Sequence, residues 1–259
     1  MRHGSLITDH AHLSLVQNFK ITIQYDGTDY HGWQIQPNLR TIQGELTRAL
    51  SILDHRPVTV YGAGRTDAGV HAEAQVASFF LERGFVAHEL RAAINGNLER
   101  DVRVLDAEPV AESFNARYSA REKTYRYRIW TAEVVSPFAY RYVHHYRARL
   151  DVEEMRSAAS ALIGTHDFSA FTVADSEAED AVRTLTRLVV ERQQNEIFIE
   201  ASANGFLRYM VRSIAGTLIE VGAGKRQASS AGEILASRDR RNAGFTAPAG
   251  GLTLVRVDY

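Results

Sequence analysis

A loop with three glycines and one isolated carboxylate constrains this chain more than any other stretch. It spans residues 61–72 (YGAGRTDAGVHA). Glycine lacks a Cβ, so the backbone there can adopt positive φ or approach another group closely. An apolar run at 58–61 leads in and an alternating run at 75–80 leads out, which predicts strand, tight loop, strand. A loop held by a rigid scaffold is suited to presenting one catalytic side chain, here Asp67.

Other interpretations of a glycine-rich loop fit these residues poorly. A dinucleotide-binding loop needs a glycine three residues after Gly64, and Asp67 stands there. The segment at 222–225 (GAGK) is followed by Arg226, whereas a P-loop places Ser or Thr there to bind Mg²⁺. Aspartate is also a common turn former, so the residues alone leave Asp67 as either a turn residue or a catalytic acid.

Cations and aromatic residues interleave over residues 114–149. The whole chain has a net charge of −1, but this stretch holds eight Lys/Arg and two acidic residues, a local charge of +6. Because cations neutralise phosphates and aromatic rings stack on bases, the pattern predicts an RNA-binding surface. The alternative is a solvated face with core aromatics between the charges. Alternation along 123–130 puts Tyr125 and Tyr127 on one face of a strand, and Arg126 and Arg128 on the other.

Strand-like and helix-like patterns alternate along the remainder of the chain, which predicts an α+β fold with a largely antiparallel sheet. The clearest helical pattern covers 205–222, with Arg208 and Arg212 on a face away from the apolar stripe. Residues 1–18 are polar and are predicted to form a flexible extension. Two α+β halves are expected, at 19–110 and 111–259. The chain has no cysteine and no apolar run approaching the roughly 18 residues of a membrane span, so no membrane partner is expected.

Several separate stretches resemble motifs of the TruA family of tRNA pseudouridine synthases, and they occur in the family's order from about residue 21 to residue 259. The longest is GRTDAGVHA at 64–72. The others are YDGTDYHGWQIQ at 25–36, FNARYSA at 114–120, GTHDFSAF at 164–171, FLRYMVR at 206–212 and APAGGLTLV at 247–255.

The resemblance implies the pseudouridine synthase fold: two similar α+β halves, a largely antiparallel mixed sheet and a central RNA-binding cleft. It also implies a cytoplasmic homodimer that binds tRNA and isomerises uridine to pseudouridine at positions 38–40 of the anticodon stem-loop. A uracil stacked in a stem is out of reach of an enzyme, so the target base must leave its stack. The reaction has no net redox change and transfers no group, so neither cofactor nor metal is expected.

The resemblance assigns three residues to catalysis. Asp67 is the nucleophile, and three routes stay open for it: attack on C6 of the base, attack on C1′ of the sugar, or abstraction of a ribose proton. Arg212 is expected to pair with Asp67 and keep it ionised, since a nearby cation favours the carboxylate. Tyr125 is expected to stack on the base and to accept the proton that completes the rearrangement.

Further residues are expected to bind substrate: Arg65 in the space that the flipped base vacates, Leu252 against the target base, and Arg126 and Arg128 on tRNA phosphates. Two rival functions are considered. A catalytically silent RNA-binding protein would keep the scaffold without turnover. A phosphate-dependent enzyme acting on small molecules is disfavoured, because the nucleotide-binding motifs fail.

Overall fold

The computed structural model describes residues 16–173 and 180–259. Strands in these ranges are β1 (Gln17–Tyr25), β2 (Tyr61–Gly62), β3 (His71–Leu81), β4 (Val102–Pro109), β5 (Glu122–Trp130), β6 (His144–His145), β7 (Gly164–Asp167), β8 (Val182–Gln193), β9 (Glu196–Ala203) and β10 (Leu252–Asp258). Helices in the same ranges are α1 (Ile42–Asp54), α2 (Ala87–Gly96), α3 (Val152–Ser160), α4 (Met210–Gly222) and α5 (Ser230–Ser237).

The ten strands form one mixed sheet, with the main order β4-β1-β3-β10-β5-β9-β8-β7. The short strand β2 pairs with β3, and β6 pairs with β5. Pairing along the main path is antiparallel except between β10 and β3, which run parallel. The last strand of the chain therefore joins the strands of the first half to those of the second. The α+β fold with a largely antiparallel mixed sheet is confirmed.

Local sequence signals account for several element boundaries. Helix α1 begins after Thr41, whose hydroxyl accepts a hydrogen bond from the Gly44 N–H and so satisfies one of the first donors of the helix. The β8–β9 hairpin turns at Gln194, which has a φ of 52°. Tyr125, Tyr127 and Ile129 are buried on one face of β5, as alternation predicts.

Helix α4 lies in the middle of the core, where it packs against α3 and β5. Eleven of its thirteen residues are buried, which is the pattern of a helix surrounded by protein on most sides. The segment before β10 crosses it closely at Gly216, because a Cβ there would lie 1.7 Å from the carbonyl oxygen of Phe245. This crossing brings the chain before β10 to the beginning of α4.

The structure corrects two predicted boundaries. Helix α4 begins at Met210 rather than at residue 205, because Tyr209 adopts the left-handed conformation with a φ of 63° and ends the preceding loop. Arg208 is therefore in a loop and does not share a helical face with Arg212. Strand β1 begins at Gln17, two residues inside the predicted extension. Residues 1–15 of that extension lie outside the described residues, and the division of the chain near residue 110 stays a prediction.

Candidate active site

The Asp67 loop connects β2 to β3 and is fixed mainly by the loop that follows β1. The Trp33 N–H donates to the carbonyl oxygen of Thr66 at 3.0 Å, and the Gly69 N–H donates to the carbonyl oxygen of Tyr30 at 3.2 Å. Gly32, with a φ of 89°, allows this approach, because a Cβ there would lie 2.6 Å from the Thr66 oxygen. The two loops therefore pack backbone against backbone, which leaves little freedom at Asp67.

Buried side chains hold the same loop from the side of the sheet. The hydroxyls of Thr66 and Tyr25 are hydrogen bonded at 2.8 Å, and the Gln75 amide donates to the carbonyl oxygen of Gly64 at 2.9 Å. Burial raises the pKa of Tyr25 to about 12, so its hydroxyl stays protonated as a hydrogen-bonding group. These contacts hold the loop at Gly64 and Thr66, immediately before Asp67.

Arg212, two residues into α4, forms an ion pair with Asp67 across 145 positions of sequence. Its Nη1 donates to Asp67 Oδ2 at 3.0 Å, while its Nε donates to the carbonyl oxygen of Ala247 at 2.8 Å. The ring of Tyr209 lies 5.0 Å from the guanidinium carbon. The Asp67 side chain remains 20% exposed, so the carboxylate is open to a ligand rather than sealed inside the protein. The predicted pairing of the two residues is present in the fold.

Two opposing effects set the acidity of Asp67. Burial raises the pKa of its carboxyl above the ordinary value, and the hydrogen bond and charge of Arg212 act against this, as does the charge of Arg208. The net direction is upward. Arg212 therefore favours the carboxylate as expected, but its effect is smaller than the cost of burial. A raised pKa makes the carboxylate a stronger base and nucleophile once it is ionised.

Tyr125 is buried on the face of β5 that α4 covers. The ring of Phe206 meets it edge to face, with ring centroids 5.2 Å apart. Its hydroxyl makes no hydrogen bond within residues 16–173 and 180–259, and the residue is only 6% exposed. Burial raises the pKa of Tyr125 far above its ordinary value, so the side chain is a neutral phenol at neutral pH.

Leu252 lies next to the Asp67 loop, and Arg65 lies within it. Leu252 begins β10, where it pairs with Tyr127, and the following residue, Thr253, pairs with His71 at the end of the loop. Leu252 is 5% exposed and lies on the same face of the sheet as Tyr127. Arg65 is exposed two residues before Asp67. Arg65 thus belongs to the same loop as Asp67, and Leu252 begins the strand that pairs with the end of that loop.

Arg126 and Arg128 are not brought to this site. They project from the face of β5 opposite to Tyr125, and each is paired with a glutamate of β9: Arg126 with Glu200 at 3.0 Å, and Arg128 with Glu196 at 2.9 Å. Part of the local positive charge of the sequence is thus balanced by an adjacent strand. Contacts of these two arginines with tRNA remain a prediction, and they would involve RNA away from Asp67.

A second network ties the end of the loop to the other half of the chain. His71 accepts a hydrogen bond from the Gly27 N–H at Nδ1, and its Nε2 lies 3.1 Å from the carbonyl oxygen of Arg141. Asp26, adjacent to that Nδ1, accepts from the Tyr142 hydroxyl at 2.9 Å. Local sequence patterns do not reveal this network, because its partners lie more than 40 positions apart.

Among the described residues, no three or more His, Cys, Asp or Glu side chains are grouped as they would be to hold a metal ion. None of the helices in those same ranges has the length and apolar character needed to cross a membrane.

Comparison with known proteins identifies the family. The chain matches the family model described as tRNA pseudouridine synthase over residues 21–119 and 158–259. The tRNA pseudouridine synthase A of Halalkalibacterium halodurans is 47% identical over 233 residues, which are 90% of this chain and 89% of that protein. Proteins of the same name from Limosilactobacillus reuteri and Acetivibrio thermocellus are 43% and 44% identical. They cover 93% and 94% of this chain, and 96% and 100% of their own lengths.

The matched ranges include the Asp67 loop, Tyr125 lies between them, and the second contains Arg212. The motifs that pointed to the TruA family thus lie in a chain that is similar to its relatives over most of its length, and the fold brings the Asp67 loop and Arg212 into contact. On this evidence the chain belongs to the tRNA pseudouridine synthase family.

Proposed function

We propose that this protein isomerises uridine to pseudouridine in tRNA, at positions 38–40 of the anticodon stem-loop. The observation that carries the proposal is the partly exposed Asp67 carboxylate, paired with Arg212 at 3.0 Å in a member of this family. In the reaction the N1–C1′ bond breaks, the base rotates, and C5 bonds to C1′. C5 loses its proton and N1 gains one, so the atoms balance without a further reactant.

In this proposal Asp67 acts as the nucleophile or base, and burial supports that role by raising its pKa. Arg212 orients the carboxylate and stabilises its charge through a hydrogen bond. The carbonyl oxygen of Ala247 accepts a second hydrogen bond from Arg212 and so fixes the guanidinium in place. Attack on C6, attack on C1′ and removal of a ribose proton all require the carboxylate to be ionised.

Tyr125 and Leu252 are proposed to hold the flipped base, one through its ring and one through its apolar side chain. The Tyr125 hydroxyl, which makes no hydrogen bond within residues 16–173 and 180–259, is proposed to take up a proton. Because its pKa is strongly raised, it would accept a proton only while passing its own to another acceptor. Arg65 is proposed to contact the RNA from which the base has moved. The resemblance is also the basis for proposing a cytoplasmic homodimer, and sedimentation velocity would test the dimeric state.

The decisive experiment is to map pseudouridines in unmodified tRNA before and after treatment with the purified protein. We expect new pseudouridine at one or more of positions 38–40. Tritium release from C5-labelled tRNA separates this function from its rival, because an RNA-binding protein without catalysis releases none. Tight binding of tRNA with neither tritium release nor new pseudouridine would overturn the proposal in favour of that rival.

A further inference from the structure

Lys123 occupies the same face of β5 as Tyr125, two residues nearer the beginning of the strand. Its side chain extends to the Asp67 loop: a Cβ built on Gly64 would lie 3.6 Å from Lys123 Cδ and 3.8 Å from Lys123 Nζ. An ammonium group therefore lies beside the loop that carries Asp67, along the sheet from the ring proposed to hold the base.

Two further cations lie near the Lys123 ammonium. Burial lowers the pKa of Lys123 to about 8, and the charges of Arg117 and Arg183 lower it as well. Arg183 belongs to β8 and lies against Gly205, where a Cβ would be 3.6 Å from its Nε. Gly205 precedes Phe206, the residue that packs on Tyr125. Lys123 and Arg183 thus border the candidate active site on the side of Gly64 and Phe206.

No carboxylate in the described ranges lies within ion-pair distance of Lys123. Arg183 has Asp180 at 3.1 Å, and Asp67 has Arg212 at 3.0 Å. Arg117 lies over the ring of Tyr118, which is 80% exposed. The Lys123 ammonium is partly buried and is repelled by the charges of Arg117 and Arg183. An anion that binds beside it would therefore stabilise its charge. This distinguishes Lys123 from Arg126 and Arg128, whose charges are already matched by glutamates.

We propose that Lys123, together with Arg117 and Arg183, forms a phosphate-binding subsite that holds the tRNA backbone beside the target uridine. The ammonium is a compact point charge suited to a phosphate oxygen. The exposed ring of Tyr118 extends the subsite with a surface on which a neighbouring base can stack. The inference rests on the proposed function, because it takes tRNA as the ligand.

The first test compares Lys123→Met with Lys225→Met, since Lys225 is an exposed lysine in the turn after α4. We expect Lys123→Met to raise the KM for tRNA about tenfold with little change in kcat, and to make the salt dependence of binding shallower by about 0.7–0.9. Lys123→Arg restores most of the affinity, and Lys225→Met behaves like the wild type. Equal KM values and salt slopes for the two methionine variants would refute the subsite.

The second test needs no substitution at Lys123. The chain contains three lysines, Lys20, Lys123 and Lys225, so amine acylation followed by mass spectrometry reports each one. With an anticodon stem-loop transcript bound to the Asp67→Asn variant, we expect protection of Lys123 and unchanged acylation of Lys225. Acylation of Lys123 at the same rate with and without bound RNA would overturn the proposal, even if Lys123→Met fails to fold.

The outcomes separate this inference from the function on which it rests. If the wild type produces no pseudouridine, the proposed function fails whatever Lys123 does. If pseudouridine forms, but Lys123 is unprotected and its methionine variant matches Lys225→Met, only the phosphate subsite is wrong.

Discussion

Arginine–carboxylate pairs lie on both sides of β5, in different surroundings. On one face Arg212 reaches Asp67, with the two side chains 15% and 20% exposed. On the other face Arg126 and Arg128 reach glutamates of the adjacent strand, and these arginines are 37% and 30% exposed. The first pair joins distant elements beside buried tyrosines, whereas the others are neighbours across a ladder. The fold raises the carboxyl pKa in the first pair, which makes Asp67–Arg212 the candidate for catalysis.

The largest effect should come from neutralising the carboxylate on the first face. We expect Asp67→Asn to lower turnover by roughly 10⁴-fold or more while tRNA binding and folding persist, because an essential nucleophile is removed and its shape is kept. The measurement is single-turnover pseudouridine formation. Glu200→Gln, the same change on the opposite face, should leave turnover near the wild-type value. Near-normal product from Asp67→Asn would remove Asp67 from the mechanism.

The next largest effect tests the partner of Asp67. We expect Arg212→Met to lower kcat/KM by about 10²–10³-fold, because a preorganised charge next to the reacting group is lost. The loss of a cation that opposes burial raises the pKa of Asp67 further, so activity that needs the carboxylate should fall off at a higher pH than in the wild type.

The pH dependence of kcat/KM from acid to neutral pH gives this measurement, because it reports ionisation in the free enzyme. Arg128→Met is the matched control. It should not change the pH at which kcat/KM falls on the acid side of the profile, the acid limb. An acid limb that stays in place in Arg212→Met would mean that Asp67 is not the group that titrates.

Two buried tyrosines on the same face allow the hydroxyl of Tyr125 to be tested. We expect Tyr125→Phe to lower kcat by about 10²-fold or more, as for the loss of a proton-transferring group, with an almost unchanged free energy of unfolding. Tyr127→Phe should leave kcat nearly unchanged and lower the free energy of unfolding by about 1 kcal/mol. The reason is that the Tyr127 hydroxyl donates a hydrogen bond to the carbonyl oxygen of Pro248 at 3.0 Å, which the variant loses. Wild-type kcat in Tyr125→Phe would restrict Tyr125 to stacking.

The smallest effect is expected on the opposite face. Arg126→Met should lower tRNA affinity by less than about threefold with a slightly shallower salt slope, because a partly exposed arginine already shared with Glu200 has little net charge to offer a phosphate. Titration of tRNA binding at several salt concentrations measures this. A loss as large as that expected for Lys123→Met would show that the second face also binds RNA, and the contrast between the faces would then fail.

Local sequence patterns determined much of this protein. Alternation predicted the two faces of β5, and the alternating strand-like and helix-like patterns predicted a largely antiparallel sheet. The Asp67 loop stood out because glycines and a single carboxylate are visible within a dozen residues. These features depend on neighbours within a few positions, and their physical causes are fully present in the chain order.

Contacts between distant positions were decided by the tertiary structure. Spacing alone does not join Asp67 to Arg212, nor Thr66 to Tyr25, and the same holds for the glutamates that balance Arg126 and Arg128. The late start of α4 arises because Tyr209 turns left-handed, a conformation that helical periodicity does not reveal. Burial, which sets the acidity of Asp67 and Lys123, exists only once the loops and the sheet have packed together. Sequence thus singled out the carboxylate that is proposed to react, while the packed fold supplied its partner and surroundings.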